Sequence, residues 1–403
     1  MFTPTRQPGL VEFTLLIAAI TSILALGIDA ILPAMPAMTA DLGLSDPNTI
    51  QLTITYYLLG MGFGMLLFGP ASDSYGRKPT IYAGMILFLA GSVVCAMSTD
   101  YNTLVIGRLI QGVGVSAPRA ITMSLVRDLY AGREMARVMS IVSAVFILVP
   151  AIAPTLGVAI LSFGTWRSIF VLILVFGSVV LVWLAMRQPE TLPKEKRVKF
   201  SVSNILSGAR EVVTTRDCVA AILAAGLSSA ALFGYLGASQ QIFSDAFNQG
   251  ENFPYLFGAL ALSIGVASVV NSRVVVRLGM RFLSRRAAAA SSIIALVYLA
   301  ALLALPIGDN LALFMLWALP TFFCLGIMFG NLFSIGMVPL GHIAGIGAAV
   351  LGSTSTLISA GLGAMIGQTF QGSVIPIVLG FAVLHGATYL IVRIMLAAPE
   401  PSM

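Results

Sequence analysis

The sequence is poor in charge. Only 9% of its 403 residues are Asp, Glu, Lys or Arg, whereas 58% are hydrophobic. A water-soluble domain carries about 25% charged residues, so this chain lacks the polar surface to face water on all sides. A mean hydropathy of +0.98 agrees. Cysteine and histidine are scarce too. Cys95, Cys218 and Cys324 share no ligand spacing, and His342 and His385 have no metal partner nearby, so neither a disulfide framework nor a metal site is supported. No Gly-x-x-x-x-Gly-Lys-Ser/Thr loop occurs, which leaves direct drive by ATP unsupported. Paired carboxylates and a Ser/His/Asp set, the marks of an enzyme, are missing as well. The net charge of +6 is spread over helix ends instead of forming an aromatic-interleaved patch, which argues against nucleic acid as a partner.

What is abundant is the apolar run. A membrane-spanning helix needs roughly 20 apolar residues, and such runs recur from end to end, leaving no block that would fold as a separate soluble domain. The run after Glu12 is too long for a cleaved signal peptide, and many spans follow it. Twelve helices are expected, near 11–33, 48–70, 79–97, 102–124, 136–161, 166–186, 217–243, 253–273, 285–305, 311–337, 346–370 and 374–396, with the stretch near Pro254 irregular. With the N-terminus placed inside, 19 of the 22 basic residues fall on inner segments, from Arg6 to Arg393. The outer segments keep Arg167 against Asp41, Asp46, Asp100, Asp245, Glu251 and Asp309. The positive-inside rule then predicts both termini in the cytoplasm. The longest polar interval, 187–216, reads as a solvated cytoplasmic tether between a six-helix bundle over 1–186 and another over 217–403. SYGRKP after the second span and RLGMRF after the eighth, with Gly76 and Gly279 in similar places, suggest two related halves. Bundles of that kind bind substrate at the midplane and alternate access by rocking.

Three ionisable residues fall inside spans, where each costs several kcal/mol unless paired or hydrated: Asp29, Arg108 and Arg119. On helical periodicity Asp29 shares a face with Ala25, Thr21 or Ser22, Ala18 and Thr14, a stripe suited to the wall of a wet cavity. Partial desolvation there favours exchange of a proton as the cavity opens to each side; a permanent pairing or capping role is the other reading. Arg108 comes out at a depth similar to Asp29, so a direct or water-mediated pair is possible in principle. Gln111, Val115, Arg119 and Thr122 continue its face, with Arg119 open to a second reading as a cation reaching for the headgroups.

Four motifs carry a resemblance. Gly69-Pro70-Ala71-Ser72-Asp73-Ser74-Tyr75-Gly76-Arg77-Lys78-Pro79 resembles the signature loop of the major facilitator superfamily. Arg108-Leu109-Ile110-Gln111-Gly112-Val113-Gly114 looks like the fourth-helix motif of its drug exporters. Asp29-Ala30-Ile31-Leu32-Pro33-Ala34-Met35-Pro36 is similar to the first-helix signature of the bicyclomycin and chloramphenicol resistance exporters, which are drug:proton antiporters, and Trp166-Arg167-Ser168-Ile169-Phe170 also looks like that group. The fifth helix departs from the family pattern: where Gly-Pro-x-x-Gly-Gly is usual, it reads Ala153-Pro154-Thr155-Leu156-Gly157-Val158, with Pro150 and Pro154 still expected to kink it.

The resemblance implies an all-α membrane fold of two pseudo-symmetric six-helix bundles in a bacterial inner membrane. It implies Asp29 and Arg108 as proton-coupling residues, and Gly69, Asp73, Gly76, Arg77 and Lys78 as an inter-helix charge clasp. Pro150, Pro154 and Gly157 become the antiporter helix. Tyr56, Gln111, Arg119, Phe233, Tyr235, Gln240, Met328 and Asn331 are candidates for a largely apolar pocket with scattered hydrogen-bonding groups. The implied activity is proton-coupled export of small amphipathic drugs, with the proton gradient in place of a cofactor, by a monomer. A proton-linked metabolite exporter or importer of the same fold, and a non-transporting membrane receptor or scaffold, are the alternatives.

Overall fold

The computed structural model describes residues 7–308 and 310–396; Arg6 and Asp309, used above in the charge distribution, lie outside the described residues. The first helices are α1 Leu10–Asp29, α2 Met35–Asp41, α3 Leu52–Tyr75, α4 Arg77–Met97, α5 Tyr101–Leu129, α6 Gly132–Leu161 and α7 Arg167–Arg187. They are followed by α8 Val202–Thr214, α9 Arg216–Gln241, α10 Phe253–Leu278, α11 Met280–Ala304, α12 Leu311–Met337, α13 Ala344–Gln368 and α14 Ile375–Met395. Among the described residues no strand forms. Hydrocarbon offers backbone groups no partner, and a helix satisfies them within one segment.

Among the described residues eleven stretches are long and apolar enough to cross a membrane. The longest, Leu311–Gln368, has 58 residues, far more than the roughly 20 that one crossing takes. It holds both α12 and α13, joined by the turn Val338–Ile343, so the passes number twelve. In the first half α5 lies against α3 and α4, while α1 packs on α6 and α7. In the second half α9 lies against α12, α13 and α14, with α11 between α12 and α14. The halves meet along α3 and α13, along α6 and α10, and where the turn after α1 reaches α9.

One end of the bundle carries Arg77, Lys78, Arg187, Arg277 and Arg281 and is called the basic end; the far end carries Asp41, Asp46 and Asp100. Hydrogen bonds joining the halves gather at the far end. Gln51 Nε2 donates to Gln241 Oε1 at 2.5 Å, Asn48 Nδ2 to the Phe370 carbonyl at 2.7 Å, and Gln368 Nε2 to the Asn48 carbonyl at 2.7 Å.

Two sequence expectations change. Pro33 does not close the first span: α1 stops at Asp29, a 3-10 turn over Leu32–Ala34 takes up Pro33, and α2 carries the span on to Asp41. The break therefore falls beside the carboxylate, inside the span. Nor is 187–216 simply a solvated tether. Its second part is the helix α8, which buries Gly208 and Val212 against the second half, because one side of it is apolar at helical spacing. The irregularity near Pro254 is a 3-10 turn over Gly250–Asn252, and the proline sits in the first turn of α10, where a missing N–H costs nothing.

The paired loops noticed in the sequence have a common geometry. Gly76 and Gly279 break helices at the basic end with φ of 106° and 81°, a region that side chains with a Cβ adopt only at a cost. Gly76 is further confined, since a Cβ there would lie 2.4 Å from Glu190 Oε2. Gly76→Ala should therefore destabilise the fold by about 1–2 kcal/mol from the backbone alone, read as a lowered melting temperature of the purified protein. A curve matching the wild type would contradict this account of the turn.

Candidate functional site

The loop at the basic end is a network of charges built on this turn. Arg77 is buried; its Nη1 donates to Asp73 Oδ1 and to Ser72 Oγ at 2.8 Å, and its Nε donates to Asp128 Oδ2 at 3.2 Å. Lys78 Nζ reaches the Ala185 carbonyl at 3.0 Å. Glu190, from the linker, accepts the backbone N–H groups of Arg77 at 3.0 Å and Lys78 at 3.1 Å, capping α4. Asp73 also looks across to the other half, for a Cβ on Gly345, in the first turn of α13, would stand 2.6 Å from its Oδ2. Gly69 lies close to the Ala349 side chain on the same helix. Glu190 and Asp128 escaped the sequence reading. Asp128 had left a sign, as an acid at the end where bases collect; Glu190, inside a polar stretch, left none.

Arg108 is wholly buried in the first half. Its Nε donates to the Thr53 carbonyl at 3.2 Å and its Nη1 to Gln111 Oε1 at 2.8 Å, while Gln111 Nε2 donates to Ser92 Oγ at 2.7 Å. The guanidinium lies 4.3 Å from the centroid of the Tyr57 ring, close enough for a cation–π contact. Nη2 has no partner among the described residues. Arg108 thus braces α5 against α3, and through Gln111 against α4. Tyr57 was missed in favour of its neighbour Tyr56, which is half-buried; the helical step from Thr53 to Tyr57 was the available signal.

Arg108 and Asp29 make no ion pair, and Tyr57 stands between their helices. Its hydroxyl donates to the Leu24 carbonyl of α1 at 3.4 Å, and its ring carries the guanidinium. Asp29 is only 5% exposed, yet it forms no hydrogen bond or ion pair with any described residue. It sits at the break in α1 that Gly157 of α6 touches: a Cβ at 157 would stand 2.3 Å from the Ala30 carbonyl and 2.8 Å from Pro33 Cγ. The one glycine that α6 keeps from the family motif is thus the residue that lets α6 seat on the turn after Asp29. Pro150 and Pro154 lie earlier in the same helix, which runs unbroken to Leu161.

The hydroxyl stripe on α1 is drier than expected. Thr14 and Ser22 are buried, and Thr14, Thr21 and Ser22 each donate to the carbonyl four residues back. These groups satisfy themselves and need no water.

The pocket candidates divide by whether their polar atoms are already engaged. Gln111 is held by Arg108 and Ser92. Asn331 exchanges two bonds with Asn271, at 3.0 and 2.9 Å, tying α12 to α10. Met328 is buried against Ser228 inside the second half. Phe233 is half-buried near Gln51, Thr55 and Gly363, where α3, α9 and α13 meet. Free polar atoms remain on Tyr235 and Gln240 of α9, both buried: the Tyr235 hydroxyl and Gln240 Oε1 have no partner among the described residues. Tyr235 is walled by Phe257 and Phe322, with ring centroids 6.2 and 4.9 Å away, and it lies within electrostatic reach of Asp29. Arg119, on the basic-end side of α5, is exposed and pairs with no described residue. The Trp166-Arg167 motif grips the end of the first span: Trp166 Nε1 and Arg167 Nη1 both donate to Asp41 Oδ2, at 3.0 and 2.7 Å.

Arg108→Lys keeps the charge but loses the fork that bonds Thr53 and Gln111 together. It should lower stability by about 1–3 kcal/mol in thermal denaturation of the solubilised protein, and an unchanged curve would show those bonds to be idle.

The family model described as Major Facilitator Superfamily matches residues 17–368. The chain is 29% identical over 345 residues to the uncharacterized MFS-type transporter YdgK of Bacillus subtilis, covering 85% of each. It is also 29% identical over 285 residues to the bicyclomycin resistance protein homolog of Haemophilus influenzae, covering 70% of this chain and 71% of that one. Among solved structures, the xylose transporter XylE from E. coli, in a partially occluded inward open conformation, superposes with a TM-score of 0.73 over 97% of this chain and 98% of that one. At 13% identity the likeness to XylE is one of fold.

Proposed function

We propose, for a chain that belongs to the Major Facilitator Superfamily, proton-coupled export of small, amphipathic, largely uncharged compounds, antibiotics among them. The family is one of transporters, not enzymes, and the protein is a multi-pass membrane transporter with drug-resistance relatives. The observation that carries the finer reading is Asp29, a carboxylate buried without a partner among the described residues at a helix break, where the turn that follows reaches α9 of the other half.

An ionised carboxylate so placed has nothing to offset its loss of water, so closure of the cavity around it favours uptake of a proton and opening favours release. A group with two protonation states, lying where the halves meet, ties proton exchange to their rocking. In the proposed cycle a proton taken from outside competes with substrate, and its release inside resets the carrier. Tyr235 and Gln240 supply the unengaged hydrogen-bonding atoms for cargo, and the aromatic wall around Tyr235 supplies apolar contact. The Asp73–Arg77–Asp128 network and its contact with α13 act as the clasp that opens and closes between states. The proton gradient takes the place of a cofactor. The molecule works as a monomer in a bacterial inner membrane with both termini in the cytoplasm. The bicyclomycin-resistance relative supports the outward direction.

In proteoliposomes carrying a proton gradient, the wild type is expected to drive uphill flux of a chloramphenicol-type compound. Asp29→Asn, which keeps the shape and removes the titration, should abolish uphill flux while inserting and melting like the wild type. Full uphill activity of Asp29→Asn would reject the coupling role. Compound-induced proton release from the solubilised protein should vanish in the same variant.

A further inference from the structure

The linker helix α8 presents three sectors. One is buried in the protein: a Cβ on Gly208 would meet Ile346 of α13, and Val212 joins Cys218, Leu340 and Leu351. Beside it, at helical spacing, Val202, Leu206 and Val213 form a stripe that is 61%, 63% and 55% exposed. Ser203, Asn204, Ser207 and Thr214 take the remaining side, with Arg210 at its border with the apolar stripe. Packing on the bundle accounts for the first sector only; the second is apolar surface turned away from the protein.

The chain leading into the helix continues that surface. Val198 and Phe200 are exposed, and the Phe200 ring lies 6.1 Å from that of Tyr75, itself 60% exposed at the end of α3. Paired aromatics at the end of a membrane span are typical of the depth where hydrocarbon gives way to headgroups. Lys194, Lys196, Lys199 and Arg210 are exposed on the same stretch and make no ion pair with a described residue. The acids nearby are Glu195, exposed; Glu211, engaged by His342 Nε2 at 2.9 Å; and Glu190, turned in to cap α4.

We propose that α8 and residues 194–200 form a ledge that binds anionic phospholipid headgroups, with the Val202, Leu206 and Val213 stripe resting in the outer edge of the bilayer. Water gives that stripe no stabilisation, whereas the bilayer already surrounds the spans on either side of it. Four cations without an acidic partner, against the charges of Glu195 and Glu211, leave the ledge net positive and select negatively charged headgroups over zwitterionic ones. The ledge is joined to the charge network, because the Val198 N–H donates to the Asp73 carbonyl at 3.1 Å and Glu190 caps Arg77 and Lys78. A lipid held on the ledge therefore steadies the loop between α3 and α4.

The test uses the full chain in mixed micelles of phosphatidylglycerol and phosphatidylcholine, with retained lipid counted by native mass spectrometry. The combined variant Lys194→Gln, Lys196→Gln, Lys199→Gln and Arg210→Gln should lose the preference for phosphatidylglycerol by about tenfold or more, with phosphatidylcholine retention unchanged. An undiminished preference overturns the proposal, as does displacement of phosphatidylglycerol by inorganic phosphate, which would mark a simple anion site. Should the combined variant fold poorly, a nitroxide on Leu206→Cys in otherwise unaltered protein keeps the question open to measurement. In phosphatidylglycerol nanodiscs it should be relaxed by oxygen and shielded from a water-soluble nickel chelate; free access to nickel would overturn the ledge.

Discussion

In hydrocarbon, a polar group not bonded within the protein is bonded to nothing. That constraint orders the whole molecule. It makes the chain helical, folds hydroxyls such as Thr14 and Ser22 back onto their own backbones, and couples the amide of Asn331 to that of Asn271. It also makes unengaged groups conspicuous. Among the described residues Arg108 Nη2, the Tyr235 hydroxyl and Gln240 Oε1 are buried without a partner, and Asp29 is the buried carboxylate that joins no hydrogen bond or ion pair.

Asp29 gains its setting from residues distant in sequence. Pro33 and Pro36 break the first span, and the break needs a neighbour without a side chain, which Gly157 provides. Tyr57 then separates the carboxylate from the cation of Arg108, so that the buried positive charge is shared among a carbonyl, an amide and a ring instead of being cancelled by an acid. An acid held directly against a buried arginine would be fixed in one charge state; the intervening ring leaves Asp29 free of that bond.

The number of passes, the two-fold echo and the loop at the basic end were legible in the sequence, because each rests on a local signal: run length, repeated glycines that turn a chain, and a dense motif. The site was legible only in part. Asp29 and Arg108 declared themselves as charges among apolar residues, but the sequence gives depth along a helix and not the azimuth toward a partner. Depth alone therefore does not set Tyr57 above Tyr56, and Gln111, a pocket candidate on the face of Arg108, is engaged by that residue and by Ser92. Glu190 and α8 were missed for another reason. In a polar stretch, composition looks like solvent, and only the tertiary contact reveals that one acid caps a helix and one helical face is buried.

The bonds that join the halves at the far end are made by neutral amides, those of Asn48, Gln51, Gln241 and Gln368. Such groups release one another only when something else bonds them, and in that place the substitute is water. Were the halves to part there, the movement would also be a hydration step: each separated amide would recruit solvent, and resealing would expel it. A solute too large to enter the gap, by lowering the activity of water, would then favour the sealed form without touching the protein.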